Sequence, residues 1–187
     1  MSTPEPILPK AEPVTIAADK SALLVLDLGQ RCADPEQPCH KLVPGITRFL
    51  ERARAAGIPI IFTISARLKG TPDGQVYSGF KRRPSEAVIF PDGFDKFTGG
   101  ELQSLLRLYD VDTLIITGYR SNVAVLYTVT KAAREFNYEV VIPIDGIAAL
   151  TDYEQQYTLF QFTVLPAGAA QHFTFTTLDM ISFQSSA

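Results

Sequence analysis

Asp27 closes the apolar run SALLVL at residues 21–26, and a run of this kind bounded by polar residues suits a buried parallel strand. In an open α/β sheet the carboxyl ends of the strands face the crevice where ligands bind. A carboxyl group placed there, in surroundings of low polarity, has its pKa raised and suits a general acid or base. It equally suits a structural task, capping a loop or pairing with a lysine. Asp145 ends the run EVVIPI in the same way and reads as a turn acceptor. The second place to look is TLIITGYRSNVAVLYTVTKAAREF, residues 113–136, which reads as a strand, a break at Gly118 and a helix. A helix that starts at the end of a strand aims unpaired backbone N–H groups into the crevice. At the centre of this segment, where a nucleophile would be sought, stands Ala124, which has no reactive group. Around it, Ser121 and Asn122 either touch a ligand or cap the helix. Arg120 either clamps a carboxylate or faces a partner. Tyr127, three residues after Ala124 on a similar helix face, lines the pocket or packs in the core.

These residues need a frame, and the hydrophobic pattern supplies one. Short apolar runs at 21–26, 58–64, 87–90, 113–117, 139–145 and 172–177 read as strands. Between them lie segments of helical spacing: 45–57, with Gly57 as the stop, 101–109, the helix after Gly118, and 152–162. Strands alternating with helices predict an α/β fold, a three-layer α/β/α sandwich with a mainly parallel six-stranded sheet. Residues 1–19 read as an extended N-terminal arm, over the surface or a neighbouring subunit, and 20–187 as one domain.

Composition narrows the function. A hydrophobic share of 46% fits a globular chain, and a net charge of −3 gives no reason to expect nucleic acid or an anionic membrane as partner. No apolar run reaches the roughly 20 residues that span a bilayer, and the polar, proline-rich start lacks a secretory core, so a cytoplasmic location is the default. Cys32 and Cys39 do not match a zinc spacing; in a reducing compartment they are expected as free thiols. Two histidines, His40 and His172, support neither a metal site nor a histidine-dependent triad. With no GxGxxG and no Walker loop, no nucleotide cofactor is expected.

Taken together and in order, ALLVLDLGQ, LVPGITRFLERARAAGIPIIFT, DKFTGGELQSLL, LIITGYRSNVAVLYTVTKAAREFNYEVVIPIDGIAA and TDYEQQY resemble the isochorismatase-like superfamily of cysteine hydrolases. Its members include nicotinamidases, carbamoyl-amide hydrolases and isochorismatases. The resemblance covers residues 20–181 and implies a small-molecule substrate and a homo-oligomer, dimer or tetramer. It also implies an aspartate, a lysine and a cysteine at the site, with a non-proline cis peptide near the cysteine. Asp27 matches the aspartate. The lysine normally precedes a phenylalanine by six residues; with Phe97 as that phenylalanine, Pro91 takes the lysine's place. Ala124 matches the cysteine. An amidase route through a thioester is therefore not expected, since covalent catalysis needs an activated nucleophile. Lys96, next to Phe97, either replaces the lysine from a shifted position or pairs with Asp95 or Asp92 at the surface. Isochorismatases of the family also lack the cysteine and use the aspartate as a proton donor to a vinyl ether. Two readings follow: a cysteine-independent hydrolase of a small anionic metabolite, with Asp27 and Lys96 catalytic, or a non-catalytic relative that binds a small molecule or serves as an oligomeric scaffold.

Overall fold

A computed structural model describes residues 7–184, so the first six residues of the expected arm lie outside the described residues. Within that arm Val14–Ala17 forms a strand, β1. There follow β2 (Ser21–Leu26), helix α1 (Val43–Ala55), β3 (Ile60–Thr63), β4 (Ala87–Ile89), α2 (Glu101–Leu108) and β5 (Thr113–Tyr119). The chain continues through α3 (Leu126–Phe136), β6 (Glu139–Pro143), β7 (Ile147–Ala148), α4 (Asp152–Val164), β8 (Phe173–Thr176) and β9 (Ile181–Gln184).

The main sheet runs β4-β3-β2-β5-β6-β8, every neighbour parallel, with the two-residue β7 added beside the end of β5. The six strands of this path are the six apolar runs. β1 and β9 form a separate parallel pair. Both faces of the sheet are covered, which is why its strands read as unbroken apolar runs rather than alternating ones. Side chains still alternate in where they point. Leu23 and Val25 of β2 pack with Ile46, Phe49 and Leu50 of α1. Ala22, Leu24 and Leu26 pack with Leu102 and Leu106 of α2, Val129 of α3 and Phe162 of α4. The three layers are thus α1 with the β1–β9 pair, the sheet, and α2, α3 and α4.

The order of the sheet reverses at β2. The chain moves outward through β3 and β4, then returns to place β5 on the other flank of β2. The carboxyl ends of β2 and β5 therefore flank the switch point where α/β sheets bind ligands. At that end the register pairs Leu26 with Gly118. A Cβ on Gly118 would lie 2.2 Å from the Leu26 carbonyl oxygen, and φ there is +129°. Only glycine fits both demands.

The segment after Asp27 corrects one expectation. Two 3₁₀ turns, Gln30–Ala33 and the proline-started Pro38–Leu42, fold the chain back on itself. Cys32 and Cys39, both buried, end with Cα atoms 5.4 Å apart and are joined in a disulfide rather than left as free thiols. The spacing of seven residues gave no sign of this because the turns, not the count, close the distance. None of the described helices is long and apolar enough to cross a membrane.

Gly118→Ala tests the close approach of β5 to β2. We expect a loss of about 3 kcal/mol or more in unfolding free energy, or failure to fold, read from urea denaturation. A loss under about 1 kcal/mol would show that the two strands separate freely.

Candidate active site

Asp27 follows β2 with its backbone in the left-handed region, φ +54°, which turns the chain sharply out of the strand. Its N–H donates to the Thr63 carbonyl at the end of β3 (2.9 Å), so the turn is tied to the sheet. The carboxylate Oδ1 accepts from Thr63 Oγ1 at 3.2 Å. Oδ2 lies 2.7 Å from Lys96 Nζ. Lys96 is 2% exposed, so this is a buried ion pair. Burial pushes the Asp27 carboxyl up from the ordinary carboxylate range, and the neighbouring Lys96 ammonium only partly offsets it.

Lys96 is brought in by its loop. Its N–H donates to Thr128 Oγ1 on α3 (3.0 Å). Phe97, buried beside it, packs at a tilt on Phe136, 4.7 Å between ring centroids. The surface alternative for Lys96 fails because Asp95 is otherwise engaged, accepting from Thr98 Oγ1 (2.8 Å) and lying 3.5 Å from Lys131 Nζ. Pro91 is buried and its carbonyl accepts from Ala66 N–H, so the family lysine's position carries no charge here.

A cavity of about 180 Å³ opens at the carboxyl ends of β2 and β5 and is lined by Asp27, Arg31, Lys96, Tyr119, Arg120 and Ala124. Ser65, Gly93, Phe94 and Val123 complete the wall. Ala124 is 3% exposed and presents only a methyl group there. The peptide between Tyr119 and Arg120 is cis. The helix that follows begins with a π-type turn, Ser121–Val125, in which the Arg120 carbonyl accepts from both Val123 and Val125 N–H.

The residues flanking Ala124 are placed differently from expectation. The helical turn starts at Ser121, which makes Arg120 the cap residue, with no side-chain cap hydrogen bond. Neither Ser121 nor Asn122 caps the helix. Ser121 is buried with an unpartnered Oγ, and Asn122 donates its amide to Glu154 Oε1 (3.2 Å); neither lines the cavity. Arg120 lines it, but its Nη2 donates to the same Glu154 oxygen at 2.8 Å. Glu154 also closes a capping box with Thr151 at the start of α4. Tyr127 is half exposed, packs on Phe94 and faces a different, larger cavity of about 540 Å³ between α3 and α4. Three residues past Ala124, beyond the π-type turn, the side chain faces away from the crevice. That larger cavity lies away from the switch point and contains neither Asp27 nor Lys96. Asp145, the other strand-ending carboxylate, accepts from Leu178 N–H at 2.8 Å, a turn acceptor.

Sequence reasoning did not single out Arg31 or Ser65. Both follow strand ends, Ser65 two residues after β3 and Arg31 in the first turn beyond Asp27, so the rule that selected Asp27 also reaches them.

The isochorismatase domain model matches residues 21–172. The chain belongs to the isochorismatase family. Among curated relatives, the secreted isochorismatase effector Isc1 of Verticillium dahliae is 22% identical over 145 residues, covering 72% of this chain and 76% of that protein. The N-carbamoylsarcosine amidase of an Arthrobacter species is 23% identical over 171 residues, 76% of this chain and 64% of that protein. A cysteine hydrolase from Pseudomonas syringae pv. phaseolicola superposes with a TM-score of 0.76 at 19% identity, covering 96% of this chain and 95% of that one. At such identity the structural likeness speaks for the fold. Within this isochorismatase-family fold, the arrangement around Asp27 is suited to moving a proton, and it offers no nucleophilic side chain at Ala124.

Two measurements check this site. Lys96→Met leaves the Asp27 carboxylate buried without its counter-charge and should cost about 3 kcal/mol at pH 7, most of it recovered in the Asp27→Asn, Lys96→Met double variant. An additive double variant would show that the two side chains do not interact. Because the folded pKa of Asp27 is raised, the folded protein holds this proton more tightly than the unfolded chain. That contribution to stability is full below the unfolded pKa and is lost as pH rises through the folded value. Asp27→Asn should flatten the corresponding fall in the urea midpoint; an unchanged slope would assign the proton elsewhere.

Proposed function

We propose that this protein is a hydrolase that works without a cysteine on a small anionic metabolite, with Asp27 as proton donor. The observation that carries this reading is the buried Asp27–Lys96 pair, 2.7 Å apart, facing the same cavity as Ala124. A carboxyl group with a raised pKa holds a proton long enough to deliver it. A methyl group at 124 leaves room for substrate or water where family hydrolases carry a thiol. Lys96 balances the carboxylate left after proton transfer, and the first turn of the helix after β5 offers N–H groups toward developing negative charge.

A vinyl ether is the substrate chemistry that fits these parts. Asp27 gives its proton to the terminal enol carbon, and the ether oxygen shares the resulting positive charge. Water adds to the neighbouring carbon and returns a proton to Asp27. The adduct then collapses to a ketone as the other carbon–oxygen fragment departs as an alcohol. No bond to the protein forms. The same reading takes a small molecule as ligand and two or four copies of the chain as the assembly, with neither nucleic acid nor membrane as partner. A second reading, a binding or scaffold relative without catalysis, draws on Ala124 alone.

Isochorismate is the direct probe. We expect pyruvate release that falls about 100-fold or more in Asp27→Ala and is unaffected by iodoacetamide, since both cysteines lie in the disulfide. Release equal to that of the Asp27→Ala control would sink the vinyl-ether reading and favour the non-catalytic one. Ala124→Cys should gain activity on nicotinamide or carbamoyl amides only if the remaining site still supports thiol chemistry.

A further inference from the structure

Four ionisable side chains line the cavity, one acid and three bases. Lys96 is paired with Asp27 and Arg120 with Glu154. Arg31 forms no salt bridge with any described residue. Arg31 is exposed, and its guanidinium lies over the Tyr119 ring, 5.6 Å from the centroid, so its contact at the cavity is with a neutral partner. It is close enough to Asp27 for its charge to favour that carboxylate. An adjoining cavity of about 270 Å³ shares Ser65, Gly93 and Phe94 with the first and adds Arg67 and Asp92, one charge of each sign. A smaller adjoining cavity of about 50 Å³ shares Asp27, Arg31 and Ser65 and adds Asp73, which makes no salt bridge to Arg31. Arg31 is thus the cation lining the Asp27 cavity that no described carboxylate pairs.

What keeps Arg31 there is the turn that bears it. Cys32, the next residue, is buried and bonded to Cys39. Its N–H donates to the Gly29 carbonyl (3.0 Å), and its carbonyl accepts from His40 Nδ1 (2.9 Å). Beyond it, residues 33–36 are exposed and held by turn hydrogen bonds, Asp34 N–H to the Arg31 carbonyl (3.1 Å) and Gln37 N–H to the Asp34 carbonyl (3.0 Å). The bridge is the covalent tie between the segment carrying Arg31 and the buried end of the loop.

We propose that Arg31 is the carboxylate-recognising residue of this crevice, and that the Cys32–Cys39 bridge is the positioning element that holds it over Tyr119. The substrate class is then a small carboxylate, seated by a guanidinium fork that suits a planar carboxylate better than an ammonium would. This rests on the reading of the Asp27 cavity as the substrate site, but it concerns binding and is read without turnover.

Benzoate and its neutral amide, benzamide, are the probes, titrated into the full chain and followed by ¹H–¹⁵N NMR. Wild type should bind benzoate about tenfold more tightly than benzamide, with shifts at Arg31 and Tyr119. Arg31→Gln should abolish that preference, and Arg31→Lys should restore part of it. Cys32→Ser with Cys39→Ser, and wild type held in dithiothreitol, should keep a dispersed spectrum yet lose most of the preference. Should the serine variant fail to fold, the reduced wild type answers the same question, as a reducing cytoplasm would present it. Equal or absent affinity for the two probes, or an Arg31→Gln variant that keeps the preference, overturns the role of Arg31. A preference unchanged by reduction overturns the role of the bridge. If instead carboxylate preference is found and isochorismate is not hydrolysed, the proton-donor reading fails alone.

Discussion

β2 and β5 lie side by side in register from Ser21 with Thr113 to Leu26 with Gly118, and the last pair can close only because residue 118 has no side chain. This contact is the hinge of the architecture. It joins the two halves of the sheet where its order reverses, and both hydrophobic cores are anchored on β2. It also sets the carboxyl ends of two strands next to each other. Asp27 leaves one of them and the Tyr119–Arg120 turn leaves the other, so the cavity between them follows from the strand pairing. The thermodynamic demand is steric rather than electrostatic: two backbones must approach within a distance that a Cβ would fill.

On that platform the chain buries a charge. Taking an ammonium and a carboxylate out of water costs several kcal/mol each before their attraction is counted. A fold that needed only stability would be served as well by two apolar side chains of similar volume. The pair is also not self-contained, since Asp27 additionally accepts from Thr63 and meets the field of Arg31. Nothing else at the switch point has the same character. Asp145, which ends its strand in the same manner, accepts from a backbone N–H and does not line the Asp27 cavity.

The parts legible in the sequence were those governed by local periodicity. Six apolar runs became the six strands of the main path, and four stretches of helical spacing became α1 to α4, with Gly57 past the end of α1 at φ +74°. β7 escaped because it is only two residues long, and β1 and β9 because they are partly exposed and pair with each other outside the main sheet. At the site, Asp27 was legible because its position depends on one strand end. Lys96 was ambiguous because its direction depends on Thr128 and Phe136, far along the chain. Tyr127 was misplaced because the π-type turn ahead of it changes which face of the helix meets the crevice. The disulfide was read as two free thiols, since a compartment argument says nothing about how 3₁₀ turns fold a loop.

Glu154 gathers four donors on one carboxylate: the Thr151 N–H and hydroxyl, the Arg120 guanidinium and the Asn122 amide. The start of α4 and the turn beside Ala124 thus share a single acceptor. A helix that contributes no residue to the cavity wall is nonetheless wired to it, and the two cannot drift independently in sequence. A glutamine at 154 would keep an acceptor for some of these donors but give up the charge that Arg120 answers, and a shorter acid would reach one partner at the expense of another. Neutral variation along α4 is therefore bounded at its first turn by the geometry of a cavity it does not line.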